Sequence, residues 1–213
     1  MTQKMTVLFD MDGVVIDTEP QYDIIWREIG LKFLPEIKDL GRIIKGTTMP
    51  NILKNYFSNF PASVHKEIEE MVAAFELRMD FFEIAGSIDF IKSLKAAGIK
   101  TGLVTSSGEE KVEAVYDKLS LAPLFDTLVT SSRVAEGKPH PMCYLLAAKD
   151  LGVDPSTCFV LEDSFAGIAS GRDAGMKLVG LSTTNSAASL ESLVLKVIPD
   201  FKNFALSDLE ALV

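Results

Sequence analysis

The sequence has few cysteines and no long apolar run. Cys143 and Cys158 are the two cysteines among 213 residues, and no apolar stretch approaches the length of a membrane span. Two cysteines in a chain of this size are expected to be reduced, buried thiols, which argues against a disulfide framework or a cysteine metal site. The lack of a long apolar run excludes a transmembrane helix, and the first ten residues lack the apolar segment of a signal peptide. A cytoplasmic location is therefore expected.

Positive charge is also scarce. The chain has 21 Lys and Arg against 30 Asp and Glu, a net charge of −9 at pH 7. No basic stripe stands out, so nucleic acid and anionic membranes are not expected as main partners. A small phosphorylated substrate stays compatible with this charge, because a metal ion and one or two cationic side chains can dominate a site locally. Nothing in the sequence selects an oligomeric state.

Apolar residues, in contrast, are plentiful and are arranged in a regular alternation. They make up 47% of the chain, enough for one α/β core with a small second domain. Short apolar runs alternate with helical patterns, which predicts a Rossmann-like parallel sheet covered by helices on both faces. The predicted strands cover residues 6–9, 99–105, 128–129, 158–161 and 177–181, and helices between them include residues 108–119, 141–151 and 166–174.

Residues 17–83 differ from the rest of the chain. Apolar residues recur at helical spacing at residues 20–33 and again from Val64 to Met79, and no strand signal lies between Asp17 and Phe82. This pattern predicts a small all-helical cap domain at 17–83, inserted after the first strand. The catalytic core is then formed by residues 1–16 and 84–213.

Polar side chains with related chemistry follow the predicted strands. In parallel α/β sheets, ligands bind at the carboxyl ends of the strands, so these side chains are expected to lie close together. Their carboxylates, hydroxyls and single ammonium are the components of a magnesium and phosphate site. They are Asp10 and Asp12 after the first strand, Thr105 and Ser106 after the second, Lys138 in a loop near the third, and Glu162 and Asp163 after the fourth.

The four acids require a counter-charge. Carboxylates brought together without compensation raise each other's pKa and destabilise the fold. Mg²⁺ removes this conflict, since it prefers oxygen ligands and is usually held by one or two carboxylates beside a substrate phosphate. The simpler explanation, that each acidic pair is a solvated loop, is weaker because two such pairs end strands of one predicted sheet.

The residue types also indicate a reaction. A carboxylate can attack phosphorus to form an aspartyl phosphate, and a second acid can protonate the leaving oxygen and later accept a proton from water. Asp10 suits the nucleophile and Asp12 the acid/base. The Thr105 hydroxyl, the Ser106 backbone N–H and the Lys138 ammonium can hold the phosphoryl oxygens. The neighbouring Ser107 is explained equally well as a helix N-cap alone.

Four motifs occur in an order that resembles the haloacid-dehalogenase-like superfamily. Residues 9–18 resemble its first motif, Thr105 its second, residues 137–139 its third, and residues 161–167 its fourth. The helical insert resembles the four-helix cap of the β-phosphoglucomutase-like subfamily. The resemblance implies a Rossmann-like core with a mobile cap, and phosphoryl chemistry on a small phosphorylated metabolite.

The resemblance also implies a ligand set for the metal. Mg²⁺ would be held by the Asp10 carboxylate, the Asp12 carbonyl oxygen and Asp163, with Glu162 bound to the ion or one contact removed from it. Dehalogenation is disfavoured, because dehalogenases of this superfamily lack the second acid that Asp12 supplies.

Three cap residues bear on the choice of substrate. Tyr22 stands where the mutases usually carry a histidine, and Met49 stands where the β-phosphoglucomutases place an arginine that grips a second phosphate. A methionine cannot replace a guanidinium fork. Lys45 opens the segment that resembles the specificity loop and could reach the substrate. These departures favour a sugar-phosphate phosphatase over a mutase.

Three functions from different classes follow. The preferred one is a Mg²⁺-dependent phosphatase that hydrolyses a small phosphorylated metabolite, such as a sugar phosphate, through an aspartyl phosphate. The alternative is a phosphomutase of the β-phosphoglucomutase kind. The third is a non-enzymatic phospho-acceptor module resembling a response-regulator receiver. It is weakened by the helical insert and by Asp12, which would shorten the life of a phosphorylated signal.

Overall fold

A computed structural model of the protein describes residues 5–44 and 49–213. By its internal contacts the chain forms two compact units. The sheet unit consists of Met1–Asp17 and Phe81–Val213, and the helical unit consists of Thr18–Asp80. Across the described ranges, every helix is too short or too polar to cross a lipid bilayer.

The described part of the chain contains the following strands and helices, which alternate within the sheet unit after residue 83. The strands are β1 (Thr6–Phe9), β2 (Ile16–Asp17), β3 (Phe82–Glu83), β4 (Lys100–Val104), β5 (Thr127–Val129), β6 (Cys158–Glu162), β7 (Lys177–Leu181) and β8 (Lys196–Ile198). The helices are α1 (Glu19–Phe33), α2 (Leu40–Ile44), α3 (Met49–Tyr56), α4 (Ala62–Glu76), α5 (Ser87–Ala96), α6 (Glu109–Leu119), α7 (Met142–Leu151), α8 (Phe165–Asp173), α9 (Ala187–Leu190) and α10 (Leu206–Glu210).

Six parallel strands form one sheet in the order β5-β4-β1-β6-β7-β8. All four residues of β1 are buried, as expected for a central strand covered on both faces. Leu8 lies beside Gly102 on one side and Val160 on the other. A Cβ at Gly102 would lie 2.8 Å from methyl carbons of Leu8 and Thr127, so a larger residue there would force those side chains to shift.

The apolar core of the sheet unit forms where helices pack on this sheet. It includes residues of several strands together with α7 and α8, among them Val104, Val160, Tyr144 and Ile168. Both cysteines are buried and unbridged, as expected from the sequence. The edge strand β8 was not predicted, because three residues beginning with a half-buried lysine carry little strand signal.

The helical unit contains α1–α4 and no strand among its described residues. Its apolar core gathers residues from all four helices, including Trp26, Ile29, Leu40, Phe57 and Ile68. The prediction of a parallel α/β sheet with an all-helical insert after the first strand is confirmed.

A short antiparallel ribbon, also absent from the sequence prediction, lies where the chain leaves and re-enters the sheet unit. In it Ile16 pairs with Glu83, and Asp17 pairs with Phe82. Two hydrogen bonds to the Val15 carbonyl extend the connection, from the Ile84 backbone N–H at 2.9 Å and from the Ser87 hydroxyl at 2.9 Å. The two connections to the insert are therefore held side by side.

Candidate active site

The nucleophile predicted from the sequence lies at the carboxyl end of the central strand. Asp10 directly follows β1, and its backbone N–H donates to the Leu161 carbonyl at 3.0 Å. Because β1 lies between β4 and β6, the residues that follow those two strands become neighbours of Asp10. The Asp10 residue is 8% exposed, so its carboxylate is largely removed from water.

Lys138 is buried at this sheet edge and ties two carboxylates together. Its Nζ lies 2.6 Å from Asp10 Oδ1, 2.6 Å from Glu162 Oε1 and 3.1 Å from the Val104 carbonyl oxygen. The centre of the Tyr144 ring lies 5.1 Å from the same Nζ atom. Burial alone lowers the pKa of Lys138, but the Asp10 and Glu162 carboxylates outweigh it and hold that pKa well above its usual value. Lys138 is therefore charged.

Glu162 is fully buried and is held from both sides. Its Oε1 accepts from Lys138 and from the Tyr144 hydroxyl at 3.1 Å. Its Oε2 accepts, each at 3.0 Å, from the backbone N–H groups of Asp163 and Ser164 and from the Ser164 hydroxyl. A carboxylate has about four lone-pair sites, and five donors use them here. Glu162 therefore anchors Lys138 and the turn after β6.

A glycine lets α8 pass close to this carboxylate. A side chain at Gly167 would lie 1.7 Å from Glu162 Oε1, which no real contact permits. The Ser164 hydroxyl accepts from the Gly167 backbone N–H at 3.0 Å and so caps α8. In the fourth motif, Ser164 thus caps α8 and Gly167 leaves room for the buried Glu162 carboxylate beside that helix.

Asp163 lies beside Gly13 in the loop after β1, and residues of the loop after β7, which was not predicted, donate hydrogen bonds to it. One oxygen from each of Asp10, Glu162 and Asp163 lies within 4.8 Å of the others. The Thr184 hydroxyl donates to Asp163 Oδ2, and the Asn185 side chain donates to its carbonyl oxygen at 2.9 Å. Burial raises the pKa of Asp163 well above its usual value, and the Glu162 and Asp10 carboxylates raise it further.

Glycine is required at position 13, where the loop after β1 approaches Asp163. Its φ is +75°, in the left-handed region, and a Cβ there would lie 2.1 Å from Asp163 Oδ2. The Gly13 carbonyl accepts from the Thr183 hydroxyl at 2.6 Å. Sequence reasoning missed the loop at residues 182–185, although the rule that ligands gather at strand ends applies equally to its position after β7.

Asp12 faces the loop and helix that follow β4. Its Oδ1 accepts from Lys111 Nζ at 2.6 Å, and its Oδ2 accepts from the Ser107 hydroxyl at 2.9 Å. The Lys111 side chain is only 3% exposed. Neither contact was predicted. Ser107 is not the helix cap, because α6 has Gly108 at its N-cap position.

The two other predicted phosphate-binding residues lie at the end of β4. Thr105 is buried, its backbone N–H donates to the Val129 carbonyl at 2.9 Å, and its hydroxyl accepts from the Ser107 backbone N–H at 3.0 Å. Ser106 follows it and is exposed. The structure thus gathers Asp10, Asp12, Thr105, Lys138, Glu162 and Asp163 at one edge of the sheet, with Ser106 adjoining.

The predicted substrate residues of the insert lie within the helical unit. Tyr22, on α1, donates its hydroxyl to Glu76. Met49 begins α3 and packs against the apolar core of that unit. Lys45 lies outside the described residues.

Charge balance and donor type both point to a hard cation. Asp10, Asp12, Glu162 and Asp163 carry four carboxylates, whereas Lys111 and Lys138 supply two ammonium groups. Burial raises the pKa of Asp10 from 3.8 to about 7 despite the opposing effect of Lys138, with the Glu162 and Asp12 carboxylates adding to the rise. A divalent cation would favour the ionised form of these clustered carboxylates, and oxygen donors suit Mg²⁺.

Comparison with known proteins agrees with this geometry. The haloacid dehalogenase-like hydrolase family matches residues 4–175. A phosphorylated carbohydrates phosphatase of Thermotoga maritima is 32% identical over 81% of this chain and 82% of its own. A crystal structure of a family IA, variant 3 hydrolase of this family from Entamoeba histolytica covers 98% of both chains, with 26% identity and a TM-score of 0.87.

A second solved structure relates the chain to the other activity weighed above. The structure of a putative β-phosphoglucomutase from Thermotoga maritima is 28% identical to this chain, covers 98% of it and 100% of its own length, and has a TM-score of 0.72. The family match spans most of the chain and includes all four motifs. The protein belongs to the haloacid dehalogenase-like hydrolases.

Proposed function

We propose that this protein is a Mg²⁺-dependent phosphatase that hydrolyses a small phosphorylated metabolite, most simply a sugar phosphate, through an aspartyl phosphate on Asp10. The observation that carries the proposal is the buried Lys138, which lies 2.6 Å from both Asp10 and Glu162, in a cluster where oxygens of Asp10, Glu162 and Asp163 lie within 4.8 Å of one another. The buried Lys138 ammonium, beside Asp10 and Asp163 as the proposed carboxylate ligands of the cation, is suited to a dianionic phosphoryl group.

The residues fit Mg²⁺ as cofactor. Asp10 and Asp163 supply carboxylates whose charge is disfavoured without a cation, and the Asp12 carbonyl is the third donor expected in this loop. Glu162 holds Lys138 and the turn after β6 in place and does not bind the ion directly, since its oxygens already accept from protein donors. When bound, Mg²⁺ neutralises charge on the phosphoryl oxygens and orients them.

In the first half-reaction, an oxygen of Asp10 attacks phosphorus. The bond from phosphorus to the leaving oxygen breaks, its electron pair stays on that oxygen, and Asp12 donates a proton to it. Lys138 holds a phosphoryl oxygen together with the Thr105 hydroxyl and the Ser106 backbone N–H. These donors stabilise the negative charge that the transition state spreads over the phosphoryl oxygens.

In the second half-reaction, Asp12 reverses its role. Its carboxylate accepts a proton from a water molecule as the water oxygen bonds to phosphorus, and the bond from phosphorus to Asp10 breaks. Inorganic phosphate leaves and Asp10 returns as a carboxylate. An enzyme that carries this second acid is expected to turn over rather than to store its phosphoryl group, which argues against a receiver-like signalling module.

The proposed substrate class is supported by the relatives rather than by the residues at the sheet edge. The phosphatase of Thermotoga maritima acts, by its name, on phosphorylated carbohydrates. In this proposal the helical unit selects among such substrates, and Tyr22, Lys45 and Met49 are its candidate contacts. Met49 packs against apolar residues and carries no charge, so it supplies no grip for a second phosphate.

The test is a screen of phosphorylated metabolites with Mg²⁺, in which phosphate release is followed for the wild type and for Asp10→Asn. The amide has nearly the shape of the carboxylate but cannot attack phosphorus. We expect the wild type to release phosphate from at least one sugar phosphate and Asp10→Asn to release none while keeping its circular dichroism spectrum. A folded Asp10→Asn variant with a sizeable fraction of the wild-type rate would show that the nucleophile is misassigned.

A phosphomutase is the second candidate, because the chain resembles the putative β-phosphoglucomutase structure over its full length. A mutase must hold a bisphosphate intermediate and therefore needs cationic contacts for two phosphates. The assay supplies β-glucose 1-phosphate with a trace of the bisphosphate and measures glucose 6-phosphate and free phosphate together. We expect free phosphate to dominate; fast isomerisation with little phosphate release would establish the mutase instead.

A further inference from the structure

Lys111 is an unusual residue of the sheet unit, because its charged side chain is buried beside a residue of the proposed reaction. Its side chain is 3% exposed, and Nζ lies 2.6 Å from Asp12 Oδ1. Lysine is almost never buried to this extent without a partner. The Ser107 hydroxyl binds the other Asp12 oxygen at 2.9 Å. Both carboxylate oxygens of Asp12 are therefore held from the same neighbouring loop and helix.

The backbone that carries Asp12 is fixed as well. The Met11 carbonyl accepts from the backbone N–H groups of Val15 at 2.9 Å and Ile16 at 3.0 Å, and Met11 itself is fully buried. With the main chain set by this turn, the two side-chain torsions of Asp12 are the remaining freedom. Contacts on both of its oxygens remove that freedom.

Stability alone does not account for the pair. The pair is buried on the lysine side only, since the Asp12 side chain is 29% exposed. Burying the ammonium offsets much of the attraction between the two charges, and apolar residues of similar volume often replace buried ion pairs without loss. The Lys32–Glu67 ion pair is equally short, with 2.6 Å between Nζ and Oε1, but its two side chains are 49% and 45% exposed. The buried Lys111 instead defines the direction in which the partly exposed Asp12 carboxylate points.

We propose that Lys111, assisted by Ser107, is a positioning residue that orients Asp12 for proton transfer to the leaving group. The inference rests on the proposed phosphatase function and adds a residue to it. In the step concerned, the bond from phosphorus to the ester oxygen breaks, the electron pair stays on that oxygen, and the proton comes from Asp12. Lys111 does not touch the substrate; it sets the direction from which the proton arrives.

The chemistry of the leaving group separates this role from a merely structural one. A sugar alkoxide is a poor leaving group and needs the proton as the bond breaks, whereas p-nitrophenolate is stable and leaves without it. The ratio kcat/KM reports steps up to formation of the aspartyl phosphate, so it isolates the first proton transfer. Loss of orientation should therefore weaken hydrolysis of a sugar phosphate far more than hydrolysis of p-nitrophenyl phosphate.

The experiment compares kcat/KM of Lys111→Met for the best sugar phosphate found in the screen and for p-nitrophenyl phosphate. We expect a loss of about a hundredfold on the sugar phosphate and less than about fivefold on the aryl ester, within the range that general acid catalysis contributes. Ser107→Ala should show the same pattern with a smaller loss. Lys92→Met, which removes an exposed charge, is the control and should change neither value.

A double-mutant cycle completes the test. Once Asp12→Asn has removed the proton donor, adding Lys111→Met should cause no further loss on the sugar phosphate. Equal losses on both esters, or fully additive losses in the cycle, would overturn the positioning role while leaving the phosphatase intact. If Lys111→Met does not fold, Ser107→Ala decides by the same comparison. A wild type that cleaves neither ester would refute the phosphatase and this inference together.

Discussion

Glu162 and Asp163 are adjacent acids, and the structure predicts opposite consequences of neutralising them. Glu162 is used by five protein donors, whereas Asp163 is a buried carboxylate with a raised pKa. We therefore expect Glu162→Gln to lower the stability of the metal-free protein and Asp163→Asn to lower its affinity for Mg²⁺. The two substitutions change the same charge by the same chemistry, so each is the control for the other.

The magnitude for Glu162→Gln follows from its partners. A glutamine keeps one acceptor oxygen, so its NH₂ group must face either Lys138 or the donors of the turn. Removing one partner of a buried ion pair costs about 3–5 kcal/mol. Lys138 retains Asp10 and the Val104 carbonyl, which places the cost near the lower end, at about 3 kcal/mol. For a chain of this length, that loss lowers the unfolding midpoint by roughly 6–12 °C.

Asp163→Asn should behave differently in the metal-free protein. Burial and the Glu162 and Asp10 carboxylates already disfavour the charge of Asp163, so a neutral amide costs little, within about 1 kcal/mol. The amide oxygen can still accept from the Thr184 hydroxyl. The Mg²⁺ concentration for half-saturation should rise at least tenfold, by roughly the margin that even indirect supports of a metal site contribute.

Both outcomes are measured in one assay. Protein treated with a chelator is melted by scanning fluorimetry, and the midpoint is then followed as Mg²⁺ is added. Glu162→Gln should start lower and still respond to Mg²⁺, whereas Asp163→Asn should start near the wild type and respond only at higher concentration. A Glu162→Gln variant as stable as the wild type, yet unresponsive to Mg²⁺, would show that Glu162 binds the ion and refute the reasoning.

Three further predictions follow from the same site. Burial raises the pKa of Asp10 to about 7, above its unfolded value, so its stabilising contribution is complete below about pH 4 and is lost as pH rises through about 7. We expect Mg²⁺ to raise the unfolding midpoint more at about pH 8 than at about pH 6, and equal shifts would contradict this. Gly13→Ala should raise the Mg²⁺ concentration needed for phosphate release, because its Cβ would press on Asp163 Oδ2; an unchanged requirement would disprove the contact. Gly167→Ala should lower the unfolding midpoint, because Glu162 would have to leave its donors; an unchanged midpoint would show that the helix can shift instead.

Gly108→Ala is a matched control for the two glycine substitutions. No atom lies within 4 Å of the position its Cβ would occupy, and its φ of −75° suits any residue. It should therefore lower the midpoint only by the small preference for glycine over alanine at an N-cap, and leave the Mg²⁺ requirement unchanged. Any loss at Gly13 or Gly167 then reflects the specific contact rather than the added methyl group.

Strand ends were the part of the site that could be predicted from sequence. Apolar runs such as residues 158–161 mark buried strands, and the polar residues that follow them must meet at one edge once the strands are parallel. Asp10, Glu162 and Asp163 could be grouped in this way before any coordinates. Lys138 could be grouped with them, but its direct contacts with both Asp10 and Glu162 could not, because they depend on how the loop after β5 packs against β1 and β6.

The remaining contacts have no local signature. Lys111 stands among glutamates in an amphipathic helix, where a lysine is normally an exposed charge; only the packing of α6 shows that it is buried. Thr184 follows a strand as an ordinary loop residue, and its role depends on Gly13 coming close to Asp163. Whether Glu162 meets an ion or a lysine is decided by which donors surround it, and those come from three separate segments: the loop at Lys138, α7 and the turn after β6.

The ribbon of β2 and β3 has a consequence for how proteins of this architecture can diversify. Paired strands lie about 5 Å apart, so the two ends of the helical insert are held as close as the ends of an ordinary hairpin loop. A segment tethered in this way can lengthen, shorten or be exchanged without shifting the register of the six-stranded sheet. The catalytic edge and the helical insert can therefore change at different rates, and recombination across the ribbon would join a new insert to an unaltered reaction centre.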